Sequence, residues 1–163
     1  MAHFAEIKES DNVVIRTVVV SNDDVNANGG EYSTEAETWV QNNIPNDPIL
    51  LTEFSGTYPA TYWKQCSYNA NARKQYPGKN NHYYDSAKDK FICVKPYDSW
   101  TLNANDDWEA PTSMPNNNTL LNNDPLLSGP LWEESNLRWS ARDENNNYYI
   151  WNNTDLTWDL TTE

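Results

Sequence analysis

Asp24-Val-Asn26-Ala-Asn28-Gly29, closed by Glu35, is the spacing in this chain that points most directly to chemistry. It satisfies Asp-x-Asn-x-Asn-Gly-x5-Glu, in which alternating oxygen ligands wrap a calcium ion and the glycine permits the tight bend. Asp24, Asn26, Asn28 and Glu35 are therefore the candidate metal ligands, and calcium the one candidate cofactor. Two features count against the metal. A β-type run precedes the loop, and Glu31 occupies the eighth position, where such loops place an apolar residue. Asx turns followed by an acidic helix start account for the same letters without an ion.

Other reactive groupings are hard to assemble. His3 and His82 are the only histidines, and neither has the carboxylate or thiol spacing that holds zinc. No Ser-His-Asp or Cys-His grouping emerges from the order of residues. Cys66 and Cys93 form no metal or redox motif, and buried thiols in neighbouring strands are the expected reading. Among 24 acidic residues a glycosidase-like pair can always be drawn, so such a pair carries no information. No catalytic residue is assigned, and the expectation is a protein without enzymatic activity. Asn117-Asn-Thr119 and Asn152-Asn-Thr154 match the glycosylation sequon, as an Asn-rich chain does by chance. Arg73, Lys74 and Tyr76 belong to the main basic cluster, Arg73-Lys-Gln-Tyr-Pro-Gly78, which either docks on an acidic partner or forms a solvated loop.

The composition narrows the partners. A formal charge of −13 repels phosphate backbones and anionic lipid, so direct nucleic-acid or membrane binding is not expected. No apolar run approaches the roughly 18 residues of a spanning helix. The opening MAHFAEIKESDNVV lacks a charged leader, apolar core and small-residue cleavage site, so export by a signal peptide is not expected. Apolar residues make up only 37% of the chain, but 8 Trp and 10 Tyr supply large rings to bury. A thin, aromatic-rich fold with long polar loops follows.

The elements that must position these residues read as mainly β. The N-terminal part is α+β with one short helix, and the remainder is antiparallel hairpins ending in a Trp-paired meander. His3 to Ile7 and Val13 to Val20 form a hairpin around Lys8–Asn12. The second run, nearly all β-branched, suits a strand covered on both faces. After the turn-forming SNDDVNANGGEYS, Thr34-Glu-Ala-Glu37 has capping-box spacing and opens a helix to about Ile44. Residues 45–61 read as an irregular excursion whose Ile49, Leu50, Leu51 and Phe54 pack back onto the sheet. Tyr62 to Tyr68 alternates as a strand, and His82–Tyr84 pairs with Lys90–Val94. Short strands follow in SWTLN and DWEAP, then a loop over residues 111–130. Two regions are expected, 1–98 and 99–163, either separate or packed as one unit.

The C-terminus repeats a phrase, LWEESNLRWSA from Leu131 and IWNNTDLTWDL from Ile150. If Ser135-Asn136 and Thr154-Asp155 are turn centres, residues equidistant from them face each other across a hairpin. Trp132 then opposes Trp139, and Trp151 opposes Trp158. Such pairs fix register and contribute roughly 0.2–1 kcal/mol each. Stapling of hairpins is one reading of the repeat, and a sugar-stacking platform is the other. A peptide-binding reading of Trp139, Tyr148, Tyr149 and Trp158 lacks the proline expected after the second Trp.

Several stretches also carry a resemblance. MAHFAEI…NVV, SNDDVNANGG, Trp63-Lys-Gln-Cys-Ser-Tyr-Asn-Ala-Asn-Ala-Arg73, Tyr84-Asp, Asp89-Lys-Phe-Ile92, Lys95-Pro-Tyr-Asp-Ser-Trp-Thr-Leu102 and Trp108-Glu-Ala-Pro111 resemble small proteins of tailed phages of marine bacteria, especially cyanophages. Those proteins are mostly uncharacterised or described as virion structural proteins. The resemblance covers residues 1–44 and 62–115 and the Trp phrase. The chain departs from the pattern in 45–61, in KQYPGKNNHYY, and in carrying the Trp hairpin twice. The resemblance implies a virion protein assembled in the host cytoplasm, an exposed decoration or accessory of capsid or tail. Its partners would be other virion proteins, met as a homo-oligomer or in many copies on a symmetric lattice. The alternative is a carbohydrate-binding module aiding host-surface attachment, with a calcium-dependent or hydrolytic tail enzyme third.

Overall fold

The computed structural model describes residues 1–115 and 126–161, and the chain divides into two compact units, Met1–Val94 and Lys95–Glu163. The sequence reading placed that division at 98/99. The fold is mainly β, with antiparallel sheets and, among the described residues, three short helices. No helix there is long and apolar enough to cross a membrane.

In the first unit, β1 (Ala2–Lys8), β2 (Val14–Val20) and β3 (Thr61–Cys66) form an antiparallel sheet of order β2-β1-β3. The covered strand is thus β1 rather than β2. Phe4, Ala5 and Ile7 of β1 are wholly buried, whereas β2 lies at the edge and leaves Val19 half exposed. The continuous β-branched run of β2 reflects strand propensity more than two-sided burial. Period-2 alternation divides β1 between two cores. Ala2 and Phe4 pack with Val20, Trp63 and the helix residues Val25, Ala36 and Val40. Ala5 and Ile7 pack on the other side with Val14, Cys66, Tyr84 and Phe91. Tyr84 and Phe91 belong to the hairpin β4 (His82–Asp85) and β5 (Lys90–Cys93), as the sequence reading expected.

Three helix-level expectations are corrected. The turn-forming stretch after β2 holds a helix, α1 (Asn22–Ala27), whose N-cap Ser21 accepts from Asp23 N and whose first turn carries Asp23 and Asp24. The next helix, α2 (Thr34–Asn43), begins as expected, but Ser33 is its N-cap, accepting from Ala36 N at 3.1 Å. The capping box assigned to Thr34 and Glu37 therefore does not form, because Glu37 lies one residue too far along to reach back. Residues 45–61 contain α3 (Pro48–Glu53), capped by Asp47 with proline in the first turn. Of its apolar residues only Leu50 is buried; Ile49 and Leu51 are exposed, and Phe54 instead meets Tyr58 edge-on.

The second unit begins with the small ladder β6 (Thr101–Leu102) and β7 (Trp108–Glu109). Then β8 (Leu126–Glu133), β9 (Arg138–Asp143), β10 (Tyr148–Asn152) and β11 (Thr157–Thr161) form a four-stranded meander. The expected loop over 111–130 gives way to strand at Leu126; residues 116–125, with the sequon Asn117-Asn-Thr119, lie outside the described residues.

Both tryptophan pairs stand in the expected register, Trp132 opposite Trp139 and Trp151 opposite Trp158. Their ring centroids lie 5.2 and 5.3 Å apart at 67° and 63°, the tilted edge-to-face arrangement that aromatic quadrupoles favour. Ile150 pairs with Ser140, so the same register carried one residue on sets Trp151 against Trp139. The four indoles thereby make one row across the sheet. Trp132, Trp139 and Trp158 are buried, and Trp151 is half-buried. The repeat is a clasp, and three of its four rings are almost wholly covered by the unit's own packing.

Candidate functional site

The metal positions do not assemble as the motif requires. Asp24 and Asn26 are two residues apart on α1, which at 3.6 residues per turn sends them to opposite sides. Asn28 is the C-cap of α1, and its Nδ2 donates to the Asp24 carbonyl at 2.7 Å. Glu35 lies in the first turn of α2. Gly29 has φ +98°, and a Cβ there would stand 2.8 Å from Ser33 Oγ and 2.9 Å from Glu35 Cβ. The glycine lets two helices join tightly, so the motif letters serve the α1–α2 connection. Among the described residues no group of three or more His, Cys, Asp or Glu could hold a metal ion.

The basic cluster is turned inward. The Arg73 side chain is only 9% exposed; its Nη1 donates to Glu37 Oε1 at 2.9 Å and to Gln65 O at 2.7 Å, and its Nε to Asp89 at 2.7 Å. Burial alone would lower its pKa, but the hydrogen bond and charge of Glu37 outweigh that and raise it. Tyr76 shares a hydrogen bond with Thr17 Oγ1 at 2.9 Å and packs its ring against His3 and Tyr68. Lys74 is half-buried in the same loop and has interactions of its own. Arg73 and Tyr76 therefore fasten the loop after β3, where docking on an acidic partner was one expectation.

Glu37, read from the sequence as a helix-capping residue, is an ion-pair hub whose role the sequence reading missed. Its side chain is 7% exposed and accepts from Lys64 Nζ at 2.6 Å, Arg73 Nη1 and the Gln65 N–H. Glu6, buried on the central strand, is held in the same manner by Arg16, Tyr58 OH and Thr61 Oγ1. Burial first, then the Glu6 hydrogen bond, pushes the Tyr58 hydroxyl up to about 12.

A thiol and an imidazole do meet. His82 and Cys93 are cross-strand partners, with Sγ 3.5 Å from Nε2. The Gly78 N–H donates to His82 Nδ1 at 2.9 Å. The neutral ring therefore carries its proton on Nε2, facing the sulfur. Burial lowers the His82 pKa and keeps the ring neutral. A nitrogen that already bears a proton cannot take the one on Cys93, so the pair lacks the arrangement of a thiol activated by a base.

The second unit holds an open aromatic cleft of about 330 Å³, lined by Trp100, Trp108, Trp139 and Met114, with Glu109 and Ser113 as its polar groups. Trp108 and Glu109 come from β7, and Trp139 from β9. Trp100 and Trp139 lie 6.0 Å apart at 61°, so the walls meet at a corner. Asn103 Nδ2 donates to Glu109 Oε1 at 2.7 Å and fixes the carboxylate at the rim. Lys95 Nζ stands 5.7 Å from the Trp108 ring centroid.

Carboxylates hold this unit's strands. Glu134 accepts from Trp132 Nε1 at 2.8 Å and from Ser99 N and Oγ at 2.8 and 2.7 Å. The Trp132 bond leads in holding its pKa below the usual range. Burial would raise Asp143, but hydrogen bonds from Asn147, Tyr149 and Asn145 outweigh that and lower it. Burial likewise opposes the bonds from Arg138 and Asn136 at Glu133, and again the net shift is downward. A carboxyl with a depressed folded pKa contributes stability that is complete above its unfolded pKa and lost as pH falls through the folded one. The near-UV circular dichroism of the Trp cluster is therefore expected to stay constant above about pH 5 and to decay below about pH 4.

Comparison with protein-family models, curated proteins and solved structures finds no match to this chain.

Proposed function

We propose that this chain is a non-enzymatic structural protein of a tailed-phage particle, an exposed decoration or accessory protein of the capsid or tail. The observation that carries the non-enzymatic part is the engagement of its reactive-type groups. Glu37 and Glu6 are neutralised by cations of their own fold, and His82 presents Cys93 with a proton rather than a base. The virion assignment rests on the sequence resemblance, and the acidic surface fits a position away from packaged DNA. Its partners are other virion proteins, met repeatedly on a symmetric lattice, where each contact adds stability by mass action.

The glycan-binding alternative draws on the aromatic cleft, since the buried hairpin tryptophans offer no platform. Quantitative mass spectrometry of purified particles decides the main reading. Stoichiometric copies that leave only on disassembly are expected; absence from the particle overturns it. Saturable binding of host-surface polysaccharide by a chain missing from particles would favour the alternative.

A further inference from the structure

We propose that the cleft of the second unit is a receptor for a cationic side chain, a lysine presented by a basic segment of a partner protein. This deepens the structural-protein reading, on which the partner's being a virion protein rests, while the site itself stands on its own geometry.

Three features favour a cation. The walls are indole faces and edges that meet at 61° between Trp100 and Trp139. A sugar ring stacks on a flat face and needs several hydrogen-bonding groups around its rim; an ammonium is held by the electron-rich faces of rings set at angles to one another. Among the lining side chains Glu109 brings the charge opposite to the proposed guest. The surrounding field has the right sign as well. Residues 95–163 carry 3 basic against 12 acidic side chains, a net of −9.

The second unit's own cations are engaged elsewhere or show the same preference. Arg138 pairs with Glu133 at 2.7 Å, and Arg142 stacks 4.9 Å from the Tyr148 ring centroid. Lys95 places its ammonium by Trp108 while donating to Asp98 O at 2.6 Å. Trp108 thus already attracts an ammonium, and a cleft of about 330 Å³ has room for one long side chain.

The test is an NMR titration of the full chain, following the indole N–H signals, with an acetylated and amidated trilysine peptide. The controls are the same peptide with all three lysines acetylated, and cellohexaose as a neutral glycan. Saturable shifts confined to Trp100, Trp108 and Trp139 are expected with trilysine alone. Glu109→Gln, which keeps the oxygen that accepts from Asn103, is expected to weaken binding roughly threefold, and Trp108→Ala roughly fivefold or more. Should Trp108→Ala disturb the small β6–β7 ladder, seen as lost signal dispersion, Glu109→Gln decides. Equal binding of the acetylated peptide would make the cleft a plain apolar groove and overturn the proposal. So would shifts with cellohexaose alone, shifts spread equally over Trp39 and Trp63, or an unchanged affinity in Glu109→Gln. A chain found in particles that ignores trilysine loses this inference only. One that binds trilysine but is missing from particles loses only the virion role.

Discussion

Glu37→Gln is expected to destabilise the first unit by about 3–5 kcal/mol, the cost of leaving a buried cation without its counter-charge. Glu37 joins α2 to β3 through Lys64 and the Gln65 N–H, and to the following loop through Arg73. With the carboxylate gone, Arg73 keeps the Gln65 carbonyl, the Tyr32 and Tyr84 rings, and as its ion-pair partner Asp89, whose side chain is 61% exposed and screened by water. An amide of the same shape removes charge without removing volume, so the loss is electrostatic. A shift in the urea midpoint of the first unit, at unchanged slope, measures it. The double replacement Glu37→Leu with Arg73→Met is expected to recover much of the loss, since an apolar pair in place of a buried ion pair is often neutral or better. Strict additivity of the two single changes would contradict the coupling.

Trp139→Ala is expected to cost the second unit about 3–5 kcal/mol, the range for removing a large buried ring. Trp139 touches Trp132 and Trp100, and its Nε1 donates to Thr112 O at 2.9 Å. Its removal opens a cavity in the middle of the row and leaves that carbonyl unpaired. Trp151→Ala, at a half-buried position, is expected to cost clearly less. Thermal unfolding followed by near-UV circular dichroism compares the two, and equal losses would mean that the row is not a packed core.

The hairpins were legible because their information is local. Two residues equidistant from a turn of Ser-Asn or Thr-Asp must face one another, and this arithmetic located both Trp pairs. It did not foresee the left-handed leucines that end those turns, Leu137 at φ +49° and Leu156 at φ +56°. Asparagine is the commoner choice there, as at Asn146, φ +63°, in the turn between the hairpins. Helix α1 was hidden by its Asn and Asp content, although Ser21-x-x-Asp24 already has the spacing of a helix start. The ligand-like alternation of Asp24, Asn26 and Asn28 drew attention to period two in a segment whose backbone has period 3.6.

The site residues were less legible, for a different reason. Glu37 and Arg73 lie 36 positions apart, and no pattern in one sequence announces which cation meets which carboxylate. Placing the cap of α2 at Thr34 instead of Ser33 turned Glu37 toward its own helix end, when one residue's difference turns it toward the sheet. The His82–Cys93 pair was within reach, since the β4–β5 hairpin register implies it. The aromatic cleft was not, because Trp100, Trp108 and Trp139 come from three separate segments of the second unit.

The most direct measurement is of cross-strand nuclear Overhauser effects between indole protons in solution, combined with acrylamide quenching of Trp fluorescence. Strong effects linking Trp132 to Trp139 and Trp151 to Trp158, with Trp132, Trp139 and Trp158 shielded from quencher, are the predicted result. Missing effects and four freely quenched indoles would contradict the clasp, and with it the second unit as described.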